Sequence, residues 1–80
     1  MYEIKWRTKA YRQLKKIHDR EALASIKEAV FSLKNWPDCR NVVNLKERPG
    51  YRICAGRWRV IFEVIEHLEV IEIEEVKQWT

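Results

Sequence analysis

Arginines recur along residues 51–64, Tyr-Arg-Ile-Cys-Ala-Gly-Arg-Trp-Arg-Val-Ile-Phe-Glu-Val, at a spacing that could build an anion-binding site. Gly56 can adopt the positive φ of a tight turn, so the stretch predicts a β-hairpin with Ala55 and Gly56 as its two loop residues. That register places Arg52 directly opposite Arg59. Paired guanidinium groups present planar forks of donors that suit a phosphate.

Two interpretations of this arginine pair are open from the residues alone. Like charges directly opposite each other in a sheet are destabilising, so the pair needs solvent, a counter-charge or a bound anion. The side chains can splay into solvent or pair with acids of the next strand, where Glu74 is the candidate partner of Arg59. The alternative is a phosphate held between the two guanidinium groups.

Alternation along the hairpin separates an apolar face from a polar face. The apolar face carries Tyr51, Ile53, Trp58, Val60, Phe62 and Val64, and the polar face carries Arg52, Cys54, Arg57, Arg59, Ile61 and Glu63. We expect the first face to lie in the core and the second to meet solvent.

Elements before the hairpin can cover its apolar face. Residues 2–6 alternate as a short strand. Residues 9–17 repeat apolar side chains at helical spacing and predict a short, very basic amphipathic helix. A second helix, capped by Asp19, is expected to run to about Leu33, and residues 38–50 are predicted to form a loop.

One strand is expected after the hairpin. A two-residue turn would begin this strand at Leu68 and pair Phe62 with Ile71, and Gln78 would then share a face with Arg59. The element order β, α, α, β, β, β predicts an α+β domain. An antiparallel helical hairpin would pack on one face of a three- to four-stranded antiparallel sheet.

Length and composition exclude several classes of protein. Eighty residues predict a single domain over residues 1–80. Two cysteines provide no disulfide framework, and no metal-ligand spacing is present, so neither a metal nor another cofactor is expected. Without an apolar run of membrane-spanning length or a signal peptide, a cytoplasmic protein that does not bind membranes is expected.

Charge is distributed unevenly along the chain. Residues 1–59 hold fifteen of the sixteen Lys and Arg with six acids, whereas residues 60–80 hold one Lys with six acids. The acidic strand can compensate the basic hairpin internally. A basic surface of this size also suits a polyanion or an acidic protein segment.

Taken together, the pattern resembles the RelE/ParE superfamily of toxins from bacterial type II toxin–antitoxin systems, and within it RelE more closely than ParE. The resemblance covers nearly the whole chain, and its motifs are Tyr51-Arg52-Ile53, Gly56, Trp58-Arg59-Val60-Ile61-Phe62 and Glu75-Val76-Lys77. It implies a ribosome-dependent endoribonuclease that cuts mRNA in the ribosomal A site and thereby inhibits translation. The implied partners are the ribosome, mRNA and a cognate antitoxin.

The resemblance also implies roles for individual residues. Cleavage of RNA by its own 2′-hydroxyl needs a proton acceptor, donors for the phosphoryl oxygens and a proton source for the leaving oxygen. The resemblance to RelE implies that Lys, Arg and Tyr side chains perform these steps. By position, Arg52 and Arg59 are the expected catalytic residues. The expected RNA- and phosphate-binding residues are Lys46, Arg48, Arg57 and Lys77.

Some positions depart from the family's pattern. Cys54 stands where a second basic residue is usual, Gln78 and Trp79 stand where an Arg is expected, and the chain stops at Thr80, before the segment that usually supplies a Tyr. These departures leave a second functional class open. It comprises a ParE-like inhibitor of DNA gyrase, or a catalytically inactive member that only binds antitoxin.

Overall fold

Five strands and two helices form the part of the chain, residues 1–78, that the computed structural model describes. In chain order they are β1 (Glu3–Trp6), α1 (Thr8–Lys15), α2 (Arg20–Ser32), β2 (Val42–Asn44), β3 (Tyr51–Ala55), β4 (Trp58–Ile65) and β5 (Val70–Gln78). Short 3-10 helices follow α2 at Leu33–Asn35 and β4 at Glu66–Leu68.

The strands form one mixed sheet in the order β1-β5-β4-β3-β2. β1 runs parallel to β5, and all other neighbours are antiparallel. The predicted α+β fold is confirmed, but the sheet has more strands than the three or four expected, and it is mixed instead of antiparallel because β1 pairs with β5 in parallel. The additional strand, β2, forms within the predicted loop 38–50, because Val42 and Val43 pair with β3 and Val42 packs against the core.

Both helices lie on one face of this sheet. Asp19 caps α2 as predicted, since its Oδ1 accepts hydrogen bonds from the backbone N–H groups of Glu21 at 2.9 Å and Ala22 at 3.4 Å. Such a cap contributes about 1 kcal/mol. α1 packs over β5, and α2 packs over β3 and β4. No helix within residues 1–78 is long and apolar enough to cross a bilayer.

Apolar side chains fill the space between the helices and the sheet. The largest fully buried side chains are Phe62, Ile26, Leu33, Ile71, Ile73 and Val60. Trp36 packs edge-on against Tyr51 and Phe62, with ring centroids 4.8 and 5.7 Å apart. Each fully buried side chain of this size contributes about 1.5–3 kcal/mol, so the helices are held to the sheet mainly by this layer.

The turn of the first hairpin lies one residue later than predicted. Ala55 is 6% exposed and belongs to the core, so it stays in β3 opposite Trp58 and leaves residues 56–57 as the turn. Arg52 is therefore opposite Ile61 instead of Arg59. The expected direct opposition of the two arginines is wrong, although they do share a face as diagonal neighbours.

The second hairpin also differs in register from the prediction. Its turn is longer than two residues, because Glu66–Leu68 forms a 3-10 helix and Glu69 has a φ of 53°. Phe62 is consequently opposite Ile73 instead of Ile71. A β-bulge next to Phe62 shifts the register once more, so that Ile61 lies opposite Glu75.

Candidate nucleic-acid interface

A groove of about 640 Å³ lies on the sheet face turned away from the helices. We call it the basic groove because five of its lining residues are Lys or Arg and two are acids. Its lining residues are Val43, Asn44, Leu45, Lys46, Glu47, Arg48, Arg52, Arg59, Ile61, Glu75 and Lys77.

The strands place the floor and the inner side chains of the basic groove. Ile61 is 6% exposed and lies at its centre, with Arg52 of β3 on one side and Glu75 of β5 on the other. In the next row, Arg59 of β4 lies directly opposite Lys77 of β5. Arg52 and Arg59 are half-buried, so the sheet presents them at fixed positions.

The loop between β2 and β3 supplies the rim of the basic groove. The backbone N–H of Leu45 donates to the carbonyl oxygen of Gly50 at 3.0 Å, which closes the loop that carries Lys46 and Arg48. Gly50 has a φ of 121°, and a Cβ at this position would lie 3.1 Å from the carbonyl oxygen of Phe62. A glycine is therefore needed where this loop meets the sheet.

Glu75 is a buried carboxylate surrounded by cations. Its Oε2 lies 2.8 Å from Lys9 Nζ, and its Oε1 lies 3.3 Å from Lys77 Nζ and 3.4 Å from Arg48 Nη2. Burial by itself would raise the pKa of Glu75. The hydrogen bonds and charges of Lys9 and Lys77 outweigh it, and the pKa lies below its usual value.

Five of the six predicted site residues line the basic groove, namely Lys46, Arg48, Arg52, Arg59 and Lys77. Arg57 does not. As an exposed turn residue it lines a separate groove on the helix side, together with Gln13 and Asp19. The expectation of Arg57 on the same face as the other arginines fails because the turn lies one residue later than predicted.

The bulge in β5 changes which residues face Arg59. Gln78 lies opposite Trp58 and lines the helix-side groove, so the expectation that it shares a face with Arg59 is wrong. Lys77 takes that place. Glu74 is likewise not beside Arg59 in the register, and Trp79 lies outside the described residues.

Sequence reasoning missed Glu75 and Lys9 at this site. Glu75 depends on the bulge, for which the signal was present: the two consecutive acids Glu74 and Glu75 interrupt the alternation between Ile73 and Val76. Lys9 has no such signal, because its contact joins α1 to β5 across the whole sequence. No three His, Cys, Asp or Glu side chains within residues 1–78 are placed to hold a metal ion.

Solved structures share this architecture. The isolated RelE toxin of E. coli superimposes with a TM-score of 0.84 over 100% of this chain and 86% of its own, at 17% sequence identity. The chain has the RelE fold. A chain of the RelE–RelB complex from Pyrococcus horikoshii gives a TM-score of 0.81 at 24% identity, covering 96% of this chain and 93% of its own.

A third structure with the RelE fold is the toxin–antitoxin complex RelBE2 of Mycobacterium tuberculosis, which gives a TM-score of 0.80 at 20% identity and covers 96% of each chain. The sequence itself matches no family model and no curated protein. The resemblance to RelE is thus confirmed for the fold.

Proposed function

We propose that residues 1–80 form a single toxin domain of a type II toxin–antitoxin system, which inhibits translation by cutting mRNA on the ribosome. The basic groove on a RelE fold is the observation that carries this proposal. Five basic residues and two acids line it. An excess of positive charge in a concave surface attracts the phosphates of a single strand.

The two inner arginines suit the chemistry of phosphate-ester cleavage. Arg52 and Arg59 are half-buried on neighbouring strands, whereas Lys46 and Arg48 on the rim and Lys77 of β5 are exposed. Donors fixed in advance stabilise charge that develops on phosphoryl oxygens in the transition state. We assign this role to the inner arginines, and binding of the RNA backbone to the three exposed basic residues.

One carboxylate of the basic groove can accept the proton of the attacking 2′-hydroxyl. Glu75 is ion-paired with three cations, which makes it a poor proton acceptor. Glu47 is exposed on the rim. In this proposal, Glu47 removes the proton, the 2′-oxygen bonds to phosphorus as the bond from phosphorus to the 5′-oxygen breaks, and the leaving oxygen takes up a proton from water, while the inner arginines hold the phosphate.

An antitoxin is the second partner in this proposal. The P. horikoshii and M. tuberculosis structures are complexes with an antitoxin. In this chain, α1 and the residue after it present Lys9, Arg12, Lys15 and Lys16 without any acid. An acidic antitoxin segment that folds on binding would find a complementary surface there.

Induced expression of the chain in bacteria tests the proposal. We expect growth to stop and primer extension to show cuts within translated codons of a reporter mRNA. Arg52→Ala and Arg59→Ala should each remove the cuts, whereas Arg40→Ala, an exposed arginine outside the basic groove, should not. Cuts that persist in both groove variants would show that the basic groove is not the site.

A second candidate is a chain that binds gyrase or antitoxin without cutting RNA. The described lining of the basic groove contains no His or Tyr for proton transfer, and Cys54 lies opposite Arg59 where a base would be useful. A DNA gyrase supercoiling assay on the same protein separates the candidates. Inhibition of supercoiling without any mRNA cuts would favour the ParE-like function.

A further inference from the structure

We infer that Glu75 positions Arg48 and Lys77 to contact phosphate in the basic groove, and that its charge limits how tightly the groove binds RNA in general. The inference deepens the proposed function and relies on it for the nature of the substrate. The positioning itself follows from the contacts of Glu75 and can be measured without any cleavage.

The two oxygens of Glu75 join three separate elements. Oε2 contacts Lys9 of α1, while Oε1 contacts both Lys77 of β5 and Arg48 of the loop between β2 and β3. The Glu75 side chain is 10% exposed, compared with 52% for Arg48 and 47% for Lys77. A fixed anion therefore holds the ends of long side chains that otherwise move freely in water.

The register explains why such an anion is needed. Lys77 lies directly opposite Arg59, and like charges in that position repel each other. The bulge places Glu75 on the same groove, where it attracts Lys77 at 3.3 Å. Without the carboxylate, Lys77 and Arg48 would turn away from Arg59 into solvent.

Removing this charge should have opposite effects on binding and on cleavage. The basic groove would gain one net positive charge and bind any RNA more tightly. Cleavage would fall, because displacement of positioning groups by even 1 Å can cost about 100-fold in rate. If Glu75 only supported the fold, its substitution would lower both RNA affinity and cleavage rate. If its carboxylate only competed with RNA, its substitution would raise both.

Glu75→Gln and Glu75→Asp in the full chain test the inference. The probe is an mRNA oligonucleotide with a 2′-deoxy substitution at the scissile position, which can bind but cannot be cut. For Glu75→Gln we expect about two- to fivefold tighter binding at low salt and at least about tenfold slower single-turnover cleavage of the unmodified mRNA on ribosomes.

Glu75→Asp separates charge from geometry. It keeps the charge but withdraws the oxygens, so we expect binding within about twofold of the wild-type chain together with slower cleavage. Glu28→Gln, an exposed glutamate on α2, is the matched control for net charge and should change neither quantity. Glu75→Asp also decides the question if the Gln variant fails to fold.

The mobility of the Arg48 side chain tests the inference without any measurement of activity. Heteronuclear relaxation of Arg48 Nε should show an ordered side chain in the wild-type chain and a mobile one in Glu75→Gln. Equal order in both proteins, or cleavage as fast in both Glu75 variants as in the wild type, would overturn the inference. A wild-type chain that cuts no mRNA would refute the proposed function, and the relaxation measurement alone would then decide the role of Glu75.

Discussion

Glu47 and Glu75 line the same basic groove, yet their surroundings suit them to different tasks. Glu75 is buried among three cations, and its pKa lies below its usual value despite its burial. Glu47 is exposed on the rim. A proton acceptor must reach the substrate, and the exposure of Glu47 allows this, whereas a charge that holds other side chains in place should stay ionised.

We predict that Glu47→Gln slows single-turnover mRNA cleavage by about 100-fold or more, the usual contribution of a general base. Binding of the 2′-deoxy oligonucleotide should not weaken, since a negative charge is lost. Arg48 should stay as ordered as in the wild-type chain, which distinguishes this variant from Glu75→Gln. Cleavage at the wild-type rate would exclude Glu47 as the proton acceptor.

The two glycines provide a matched pair for stability. Gly50→Ala should lower the free energy of unfolding by about 1–3 kcal/mol, because its φ of 121° is strained for alanine and the new Cβ would crowd the Phe62 carbonyl oxygen. Gly56→Ala, with a φ of 61° and open space around the site, should cost about 1 kcal/mol. Urea unfolding measures both, and equal losses would contradict the importance of the close approach at Gly50.

At the scale of elements, the alternation of apolar and polar residues predicted which residues share a face of the sheet. The geometry of the turns decided which residues lie opposite each other on neighbouring strands. The apolar face of the first hairpin followed from a period of two and is confirmed by the burial of Ile53, Val60 and Phe62. The polar face was predicted less well, because Arg57 falls in the turn and Ile61 is buried. Both registers were wrong, because the position of the first turn and the length of the second depend on packing that the pattern does not contain. Ala55 stays in its strand because the core covers it.

The placement of the candidate residues was predictable to the same extent. Alternation predicted that Arg52 and Arg59 share a face, and the sequence places Lys46 and Arg48 just before the hairpin; all four line the basic groove, and their roles stay a prediction. The contact between Lys9 and Glu75 could not be found, since it depends on how α1 lies over β5. Part of the candidate site therefore depends on contacts between residues far apart in the sequence, which a local sequence pattern does not predict.

Strand β5 also carries Glu74, whose surroundings disfavour the ionised form of its carboxyl group. Burial, followed by the hydrogen bond and charge of Glu63, raises the pKa of Glu74, and Arg7 and Arg48 oppose the shift. Because the folded-state pKa is raised, ionisation of Glu74 costs more in the folded chain than in the unfolded chain. Stability from this group is present below the unfolded pKa and is lost as the pH rises through the folded pKa.

We therefore predict that Glu74→Gln raises the thermal midpoint at pH 7 and leaves it unchanged near pH 3, where both proteins are neutral at this position. The gain should stay below about 1 kcal/mol because water partly screens the site. Glu28→Gln serves as the control and should shift neither midpoint. A lower midpoint for Glu74→Gln at pH 7 would show that Glu74 stabilises the fold as an ion.

On the scale of the whole molecule, positive charge is concentrated in the first three-quarters of the chain and negative charge in the last quarter. Fifteen of its sixteen Lys and Arg precede Val60, and half of its twelve acids follow Arg59. The bulge brings one of these acids, Glu75, into the basic groove, while Glu72 pairs with Arg7 at 2.8 Å near β1. The basic groove thus keeps a net positive charge beside an acidic strand.

The salt dependence of RNA binding should reveal the positive charge of the basic groove. If three to five cations of the basic groove contact phosphates, the logarithm of the RNA affinity should fall with the logarithm of salt concentration with a slope of about −2 to −3.5. Arg59→Ala should reduce that slope by about 0.7, whereas Arg40→Ala should leave it unchanged. An affinity that does not vary with salt would contradict phosphate binding in the basic groove.

The most direct test of the proposed function is cleavage by the purified chain on ribosomes programmed with a labelled mRNA and a defined codon in the A site. We predict cleavage within that codon by the wild-type chain and by Arg40→Ala, none of the free mRNA, and at least about 100-fold slower cleavage by Arg59→Ala. Intact mRNA after incubation with the wild-type chain, or equal cleavage by Arg59→Ala, would contradict an mRNA-cutting site in the basic groove.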